Sequence, residues 1–563
     1  MAQCKPPTIE PEIHRRILRF LNEARTAKAF TADPRLEIRP DLAKAIFEKR
    51  ATVGAFGFTD VAQLIDIPRF REILGGLVAL FGPATYGQWG APVDLKLPDG
   101  VTNFSAPHAA LLHDGKVLFI GTTGGPAGTL IWDPDVAAGP TVLPDNQPDD
   151  NLFCSGHSFL SDGQLLVIGG GGGSTGSEPE KGWKFDPMAG TSGVWTATAG
   201  GPFAGSVKVG RWYPTTVTLG GGRVLIVAGK AGNNQMEIYR ESSDDFEFVV
   251  DPPGMPGASE RAFPQRYPGL HIAPGGEVVY TRTGWGSSDP DLTAAFFRFL
   301  GAYSGEWVPV TAPHAPGRAK GMSVPLHTSG GPLGWLMSCL VVGGEGAGAR
   351  QSAETLHTPV LTPFWGPDAD LGAPDRVNVN AVLLPDGNVF VCGGAVTGSP
   401  CLMYDRSADA WLPMAALEAA HAYHSVVVLL PSGQVMAHDL DSPTIEIFNP
   451  PYLFNGPRPQ ITAAPDIVHH GGTMDITSPQ AADIESVVLV RPMAVTHQTD
   501  SEQRVIPLQF TTTGTTLNVT APNGNHPHAV APKGYYMLFI VNNQGVPSVA
   551  WQNAATKKFI LLH

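Results

Sequence analysis

A short phrase recurs six times between residues 90 and 450, and it constrains the fold more than any other feature of the chain. Each copy has an apolar pair, a turn that ends in glycine, an apolar strand and then small residues. The turn glycines are Gly115, Gly163, Gly222, Gly276, Gly387 and Gly433. They are 48, 59, 54, 111 and 46 residues apart, so one interval is about twice the others. The spacing therefore predicts a degenerate seventh copy, and the segment GPLGWLMSCLVVGGEG, which contains Gly343 and Gly344, lies there.

Seven copies with a period near 50 residues are typical of kelch-type β-propellers, in which each copy forms a four-stranded blade. The 66 glycines and 52 prolines among 563 residues fit this interpretation, because tight turns between strands need residues that accept unusual backbone angles. We expect each blade to close with an aromatic strand, such as LIWDP at Trp132 or IEIFNP at Phe448. The sequence thus predicts an all-β fold built on a seven-bladed propeller.

The segments on either side of the repeats have different patterns. Near the start, Ile13, Ile17, Leu18 and Leu21 recur at helical spacing, which predicts a small helical module. After the Pro-rich segment NPPYLFNGPRPQI, alternating apolar segments such as YYMLFIV are spaced as in an Ig-like β-sandwich. We therefore predict three domains, namely a helical module at 1–90, the propeller at 91–452 and a sandwich at 453–563.

Charge and composition exclude several classes of protein. The 37 basic and 51 acidic residues give a net charge of −14, and no basic cluster stands out, so we expect neither a nucleic-acid partner nor a membrane span. Five scattered cysteines form neither a disulfide scaffold nor a CxxC zinc site. Cys392 and Cys401 flank a short loop, and the sequence leaves open whether they pair. The first residues show no secretory signal, which is consistent with a mature form or an intracellular protein.

Candidate functional residues precede three of the repeats. Cys154, Tyr213 and His424 each lie nine residues before the turn glycine of their repeat, and Tyr423 precedes His424. Equal offsets in different blades place side chains at a similar depth around one axis, so we expect these residues to meet at one end of the central channel. Taken singly, each has an ordinary interpretation as a buried small residue or a packed aromatic ring.

Their sequence contexts resemble the copper radical oxidases, the family of galactose oxidase and glyoxal oxidase. The resemblance extends from about residue 100 to the C-terminus. In it, Cys154 lies in an F-C-x-G setting, Tyr213 in R-x-Y, and Tyr423 with His424 in Y-H-S. His497 follows Thr496 in a T-H-x-x-x-x-x-Q-R setting. The joint occurrence of these contexts, in family order, favours the copper site over the ordinary interpretations.

The resemblance implies one copper ion held by Tyr213, Tyr423, His424 and His497, with a thioether between Cys154 and Tyr213 that stabilises a tyrosyl radical. Tyr423 is then the general base, and the Tyr213 radical abstracts hydrogen from carbon. Around this centre, the sequence suggests outer roles for three further residues. They are Arg211, Trp212 and His157.

The family resemblance also narrows the expected activity. Galactose oxidase has a stacking Trp 18 residues after the radical tyrosine, whereas Ala231 stands here, and the F-C-S-G and R-W-Y contexts resemble the glyoxal oxidase branch. We therefore expect a monomeric enzyme that oxidises small aldehydes such as glyoxal or methylglyoxal with O2 and releases hydrogen peroxide. A primary-alcohol oxidase and a non-catalytic propeller that serves as a binding scaffold are the alternatives. Members of the family are commonly secreted.

Overall fold

The structure is a computed structural model of the chain. It describes residues 11–23, 38–52, 58, 61–64, 67, 70, 73–74, 77, 80, 82–99, 101, 104–123, 128–136, 141–171, 179, 181–199, 210–229, 235–260, 266–281, 283–284, 294–310, 318–329, 335–346, 348–358, 363–372, 375–394, 400–417, 421, 423–440, 444–522 and 530–563. Its contacts divide the chain into two compact units. One comprises residues 1–88 and 449–456, and the other comprises residues 89–448 and 457–563.

The first unit is helical. Among its described residues, the helices with defined bounds include Pro11–Glu23, Pro40–Thr52 and Pro83–Tyr86, and the 3-10 turns include Val61–Leu64 and Pro451–Phe454. Ile13, Ile17 and Leu21 share one buried core, which confirms the helical spacing of these residues. Within the described part of the chain, no helix has the length and apolar character needed to cross a membrane.

The second unit contains a seven-bladed β-propeller whose blades are antiparallel sheets. In chain order, the strands are Phe104–Leu111, Val117–Thr123 and Thr129–Trp132 in blade one; Gly156–Phe159, Leu165–Ile168, Gly182–Asp186 and Val194–Ala197 in blade two; Thr215–Leu219, Arg223–Val227, Glu237–Arg240 and Asp245–Phe248 in blade three; Leu270–Ile272, Val278–Tyr280, Ala295–Phe299 and Gly305–Pro309 in blade four; Met322–Ser329, Trp335–Val342, Ser352–Thr358, Phe364–Trp365 and Ala369–Asp370 in blade five; Val379–Leu383, Val389–Gly393, Pro400–Asp405 and Ala410–Ala416 in blade six; and Val426–Leu429, Val435–His438 and Thr444–Asn449 in blade seven.

Short elements complete the unit. Gln88–Trp89 and Val93–Asp94 are two-residue strands, and Val93 pairs with Ile445, so a segment from before blade one completes blade seven. Thr283–Gly284 pairs with Arg318–Ala319 between blades four and five. Pro134–Val136, Ala349–Gln351 and Ala481–Asp483 are 3-10 turns.

Each recurring phrase forms the hairpin between the first two strands of a blade. The turn glycines adopt the left-handed backbone conformation, with φ of 89° at Gly115 and 88° at Gly387, where a side chain would be strained. The predicted degenerate copy is the second strand of blade five, Trp335–Val342, so this prediction is confirmed. The aromatic strands are third in their blades, and in blades two, three and six a fourth strand follows them, so the expectation that they close the blades is wrong.

The C-terminal β domain is joined to the propeller by one of its own loops. Its strands are Ile467–Val468, Thr473–Thr477, Ile484–Arg491, Arg504–Thr513, Thr516–Thr520, Gly534–Asn542 and Ile560–Leu562. Their inward side chains form one apolar core that includes Leu489 and Ile540. Between two of these strands the chain leaves the domain and forms the strand Ala494–Thr496, which pairs with the first strand of blade one. This pairing directs the following residues into the propeller.

Cys392 and Cys401 are both buried free thiols. In blade six, Val391 lies opposite Leu402 on the neighbouring strand. Cys392 follows Val391, and Cys401 precedes Leu402. Their thiols are therefore close. The thiol of Cys401 hydrogen-bonds to that of Cys392, which together with burial raises the pKa of Cys392.

A buried ion pair between Arg318, which precedes blade five, and Glu354 of blade five provides a test of the packing. Both Nε and Nη2 of Arg318 donate to Glu354, and Nη1 donates to the carbonyls of Gly343 and Ser352. Replacing Arg318 by Met should lower the free energy of unfolding by about 3–5 kcal/mol, because the Glu354 carboxylate stays buried with its charge uncompensated. The matched change Arg298→Met at an exposed pair should lower it by less than about 1 kcal/mol. If the two variants lost equal free energies of unfolding in urea titrations, the buried pair would not have the stabilising role assigned to it.

Buried histidines predict acid sensitivity. Burial lowers the pKa of His157 and His438 to about 4 and that of His271 to about 3. In the unfolded chain they protonate near pH 6.5, so below that pH the unfolded state takes up protons that the folded state refuses. Burial raises the pKa of Asp386 to about 6 and of Asp500 to about 7, which opposes this trend with fewer groups. Stability should therefore fall as the pH is lowered from 6.5 towards 4.

His327 allows this prediction to be tested at one residue. Its ring is buried, neither ring nitrogen has a hydrogen-bond partner among the described residues, and burial holds its pKa well below the usual value. His327→Leu removes one titrating group. The slope of unfolding free energy against pH between 6.5 and 4 should decrease by up to about 1.4 kcal/mol per pH unit. An unchanged slope in urea titrations at several pH values would show that His327 is protonated in the folded protein.

Candidate metal centre

The residues singled out before the repeats lie in the turns that lead into the first strands of blades two, three and seven. Cys154 precedes Gly156–Phe159, and Tyr213 precedes Thr215–Leu219. Cys154, Tyr213 and His424 all have left-handed backbones, with φ of 66°, 63° and 73°. This conformation costs a residue with a side chain roughly 1–2 kcal/mol, so the surrounding structure must impose it.

The turns of blades two and three are joined directly. The Tyr213 N–H donates to the Cys154 carbonyl at 3.0 Å, and the Cys154 N–H donates to Nε2 of His108 at 3.0 Å. Cys154 and Tyr213 are both buried, and they share one apolar cluster with Tyr267. The cysteine is therefore held beside the tyrosine ring.

His497 reaches the same place from the C-terminal domain. It follows the strand Ala494–Thr496 and is itself left-handed, with a φ of 46°. Every residue of the loop 496–504 is buried. Nδ1 of His497 is 2.6 Å from Oγ1 of Thr496, and Nε2 is 3.8 Å from Sγ of Cys154. Two residues that lie 343 positions apart in the sequence thus come into contact.

Four rings meet around this contact. The hydroxyls of Tyr213 and Tyr423 are 2.7 Å apart. The ring centroids of Tyr423 and His424 are 3.6 Å apart, because the pair lies in a left-handed turn, whereas neighbours in a strand point to opposite faces. The rings of His424 and His497 are 4.4 Å apart and perpendicular, and those of Tyr213 and His497 are 4.9 Å apart. The structure therefore brings together all five residues that the sequence proposed for the copper site. They are Cys154, Tyr213, Tyr423, His424 and His497.

Burial fixes the protonation of these groups. It lowers the pKa of His424 to about 4, and it lowers the pKa of His497 well below its usual value, so both imidazoles are neutral at neutral pH. It raises the pKa of the Cys154 thiol to about 12 and also raises the pKa of Tyr213 and of Tyr423. The site offers two imidazoles with lone pairs and two protonated phenols.

These residues fit a copper ion. Nε2 of His424 is buried, and within the described part of the chain it has no hydrogen-bond partner, so its lone pair is available to a metal ion. No three His, Cys, Asp or Glu side chains of the described residues gather as metal ligands, so a metal here also needs the phenol oxygens. A mixed set of two imidazole nitrogens and phenol oxygen suits Cu(II).

The three outer residues have different surroundings. Arg211 is fully buried in blade three, where Nε and Nη2 both donate to Glu237, so it supports the turn. The Trp212 ring lies edge-on to Tyr213 with centroids 4.5 Å apart. Nε2 of His157 is 3.1 Å from Nδ1 of His108, and because Nε2 of His108 accepts the Cys154 N–H, the His108 proton is on Nδ1 and is donated to His157. Ala231 lies outside the described residues.

Two further residues lie beside the cluster that the sequence did not predict as site residues, namely Tyr267 and Arg266. The ring of Tyr267 is 4.8 Å from that of Tyr213 and 4.9 Å from that of His497. The guanidinium of Arg266 lies 4.1 Å from the Trp212 centroid and 5.6 Å from the Tyr213 centroid. The signal was present, because Tyr267 lies nine residues before Gly276 and is followed by proline, as Tyr213 lies before Gly222.

Comparisons with known proteins agree with the fold. Residues 458–552 match the family described as "Galactose oxidase-like, Early set domain". The chain is 26% identical over 525 residues to a galactose oxidase of Gibberella zeae, which covers 82% of this chain and 70% of that protein. It is 29% identical over 459 residues to "Aldehyde oxidase GLOX" of Vitis pseudoreticulata, which covers 71% of this chain and 81% of that protein.

A solved structure shares the architecture. It is described as a novel fungal alcohol oxidase of the AA5 family in complex with copper, and it superposes with a TM-score of 0.68 at 22% identity. The match covers 85% of this chain and all of the other. The propeller and the C-terminal domain share the fold of this alcohol oxidase, and the sequence relatives are named as oxidases. These comparisons support the resemblance of the sequence to the copper radical oxidases.

Removal of one imidazole tests the proposed metal centre. We expect the wild-type protein to bind one copper ion per chain and His424→Ala to weaken copper binding by more than about 100-fold. Loss of a group that only hydrogen-bonds to a metal ligand weakens binding by about 10- to 100-fold, and loss of the ligand itself should cost more. His438→Ala is the matched control, since His438 is also buried with its pKa lowered to about 4 but lies within a strand of blade seven. Equilibrium dialysis measures both. Unchanged copper affinity in His424→Ala would exclude His424 as a ligand.

Proposed function

We propose that the protein oxidises small aldehydes, taken as their hydrates, to carboxylic acids and reduces O2 to hydrogen peroxide. Each turnover converts RCH(OH)2 and O2 into RCOOH and H2O2. The observation that carries the proposal is the convergence of two phenol oxygens 2.7 Å apart with two neutral, buried imidazoles. Such a donor set beside a buried cysteine has no structural need in a propeller that only binds a partner.

Tyr213, Tyr423, His424 and His497 would hold the copper ion, and the Cys154 thiol lies beside Tyr213 for the thioether. When bound, copper supplies one of the two one-electron acceptors that the reaction needs and a positive charge that favours ionised phenols. The second one-electron acceptor is Tyr213 itself. Its ring can share an unpaired electron with the sulfur of Cys154 once the two are joined.

The two tyrosines have complementary tasks. The phenol oxygen of Tyr423, ionised beside the positive charge of a bound metal, accepts the proton of a substrate hydroxyl as a general base. The oxygen of Tyr213, once this residue has lost one electron and its proton and is a phenoxyl radical, accepts the hydrogen atom from the carbon that bears this hydroxyl. Because the two oxygens are 2.7 Å apart, a single H–C–O–H group can reach both.

Two observations favour an aldehyde substrate. The GLOX relative at 29% identity is named an aldehyde oxidase, and the F-C-S-G and R-W-Y contexts are those of the glyoxal oxidase branch. The alternative is a primary-alcohol oxidase, which is favoured by the galactose oxidase relative at 26% identity. Both reactions use the same catalytic residues, so only a comparison of the rates with aldehydes and alcohols distinguishes the two activities.

A coupled peroxide assay tests the proposal. The protein is loaded with copper in air and supplied in parallel with glyoxal, methylglyoxal, ethylene glycol and galactose. We expect kcat/KM for the aldehydes to exceed that for the alcohols by at least about tenfold, which corresponds to about 1.4 kcal/mol in transition-state binding. A tenfold preference for the alcohols would replace the aldehyde assignment with that of an alcohol oxidase.

Peptide mass mapping separates an enzyme from a scaffold. After aerobic copper loading, the peptides of Cys154 and Tyr213 should be joined and lack two hydrogens. Cys154→Ser should abolish this product and most activity, whereas Cys339→Ser, which changes another buried free thiol in blade five, should preserve both. Unjoined wild-type peptides and no peroxide would indicate the non-catalytic propeller.

A further inference from the structure

Tyr267 lies in blade four at the position that Tyr213 has in blade three. Both residues are followed by proline, both have left-handed backbones, with φ of 50° and 63°, and both lie in the turn before a first strand. The N–H of Tyr267 donates to the carbonyl of Tyr213 at 2.9 Å. The two turns are thus joined in the same way as those of Tyr213 and Cys154.

The Tyr267 side chain contacts the Tyr213 ring, the His497 ring and the turn of Cys154. Its ring is fully buried and lies edge-on to the Tyr213 ring, at 75° with centroids 4.8 Å apart. The same ring is 4.9 Å from that of His497. Its hydroxyl donates to the carbonyl of Ser155, the residue after Cys154, at 2.7 Å. One side chain therefore contacts the tyrosine ring and fixes the peptide that carries the cysteine.

We propose that Tyr267 is a positioning residue for cross-link formation, which holds Sγ of Cys154 and the Tyr213 ring in the arrangement that their bond requires. This inference rests on the function proposed above. The Tyr213 ring packs between two edge-on neighbours, Trp212 at 4.5 Å and Tyr267 at 4.8 Å, and these contacts restrict its rotation away from the sulfur.

The backbone of the cysteine is confined as well. The Cys154 N–H donates to His108, the Cys154 carbonyl accepts from Tyr213, and the Ser155 carbonyl accepts from Tyr267. Of these three bonds, the last joins the cysteine turn to a side chain that also packs on the Tyr213 ring. Movement of the sulfur and movement of the ring are therefore coupled through Tyr267.

Cross-linking needs such control because neither the thiol of Cys154 nor the ring carbon of Tyr213 carries a leaving group, so the two atoms must be held close while both are oxidised. The S–H bond of Cys154 and one ortho C–H bond of Tyr213 break, and one C–S bond forms. The two electrons and two protons pass to O2, which becomes H2O2. Tyr267 contributes no atoms, and its effect is on how often the reacting atoms are aligned.

Tyr267→Phe tests this role, because it removes the bond to Ser155 and keeps the ring. Metal-free protein is given copper and then O2, and the fraction of joined Cys154 and Tyr213 peptides is followed by mass spectrometry with time. We expect the rate to fall about tenfold, as loss of one hydrogen bond allows, while copper stoichiometry stays at the wild-type value. Tyr267→Leu, which also frees the ring, should be slower still.

Tyr239→Phe is the matched control. The Tyr239 ring is buried in blade three, and its hydroxyl donates to Asp244 at 2.7 Å, so the change also removes one hydroxyl bond from a buried tyrosine. Its cross-linking rate should equal that of wild type. A wild-type rate in Tyr267→Phe, or equal slowing in both variants, would overturn the role of Tyr267. Absence of the cross-link in wild type would instead overturn the proposed function, and this inference with it.

Discussion

The site depends on the hydrogen bonds that hold the loop 496–504 inside the ring of blades. The loop is buried although most of its residues are polar, and burying unpaired polar groups costs free energy. Five of its side chains donate to backbone carbonyls of the blades instead. Thr496 donates to Pro107 in blade one, Ser501 to Thr216 in blade three, Thr499 to Tyr267 before blade four, Gln503 to Ala381 in blade six and Gln498 to Ser425 before blade seven. These bonds place His497 at one depth and orientation.

Backbone strain is concentrated at the same point. Cys154, Tyr213, Tyr267, His424 and His497 all have positive φ, and each such residue costs of order 1–3 kcal/mol. The pairing of each turn with its neighbour supports these conformations, as in the bond from Tyr213 to the Cys154 carbonyl. The strained turns direct neighbouring side chains to one side, so that the rings of Tyr423 and His424 lie together.

Much of the fold could be predicted because its signal is local and repeated. A glycine turn between two apolar strands has the same physical requirement in every blade, so six clear copies also located the seventh. Strand order within a blade has no such signal. The sequence pattern around Trp183 is compatible with either the third or the fourth strand of a blade. Only the pairing of Trp183 with Ala197 shows that another strand lies outside it.

The candidate site was predictable to the extent that it follows the repeat. The nine-residue offset gave Cys154, Tyr213 and His424, and the same offset before Gly276 would have given Tyr267. Arg266 lies one residue before that position, so the nine-residue offset does not predict it. Its position over the Trp212 ring follows from the neighbouring blade, which the sequence does not describe.

The sequence by itself determined the seven-bladed architecture, the depth of the blade turns and the residue types available to a copper centre. Only the tertiary structure decided that Nε2 of His497 lies 3.8 Å from Sγ of Cys154, that the two phenol oxygens are 2.7 Å apart, and that a tyrosine of blade four fixes the cysteine turn. The physical reason is that these distances follow from closure of the blades around a loop from another domain. Local turns and strand patterns carry no information about such packing.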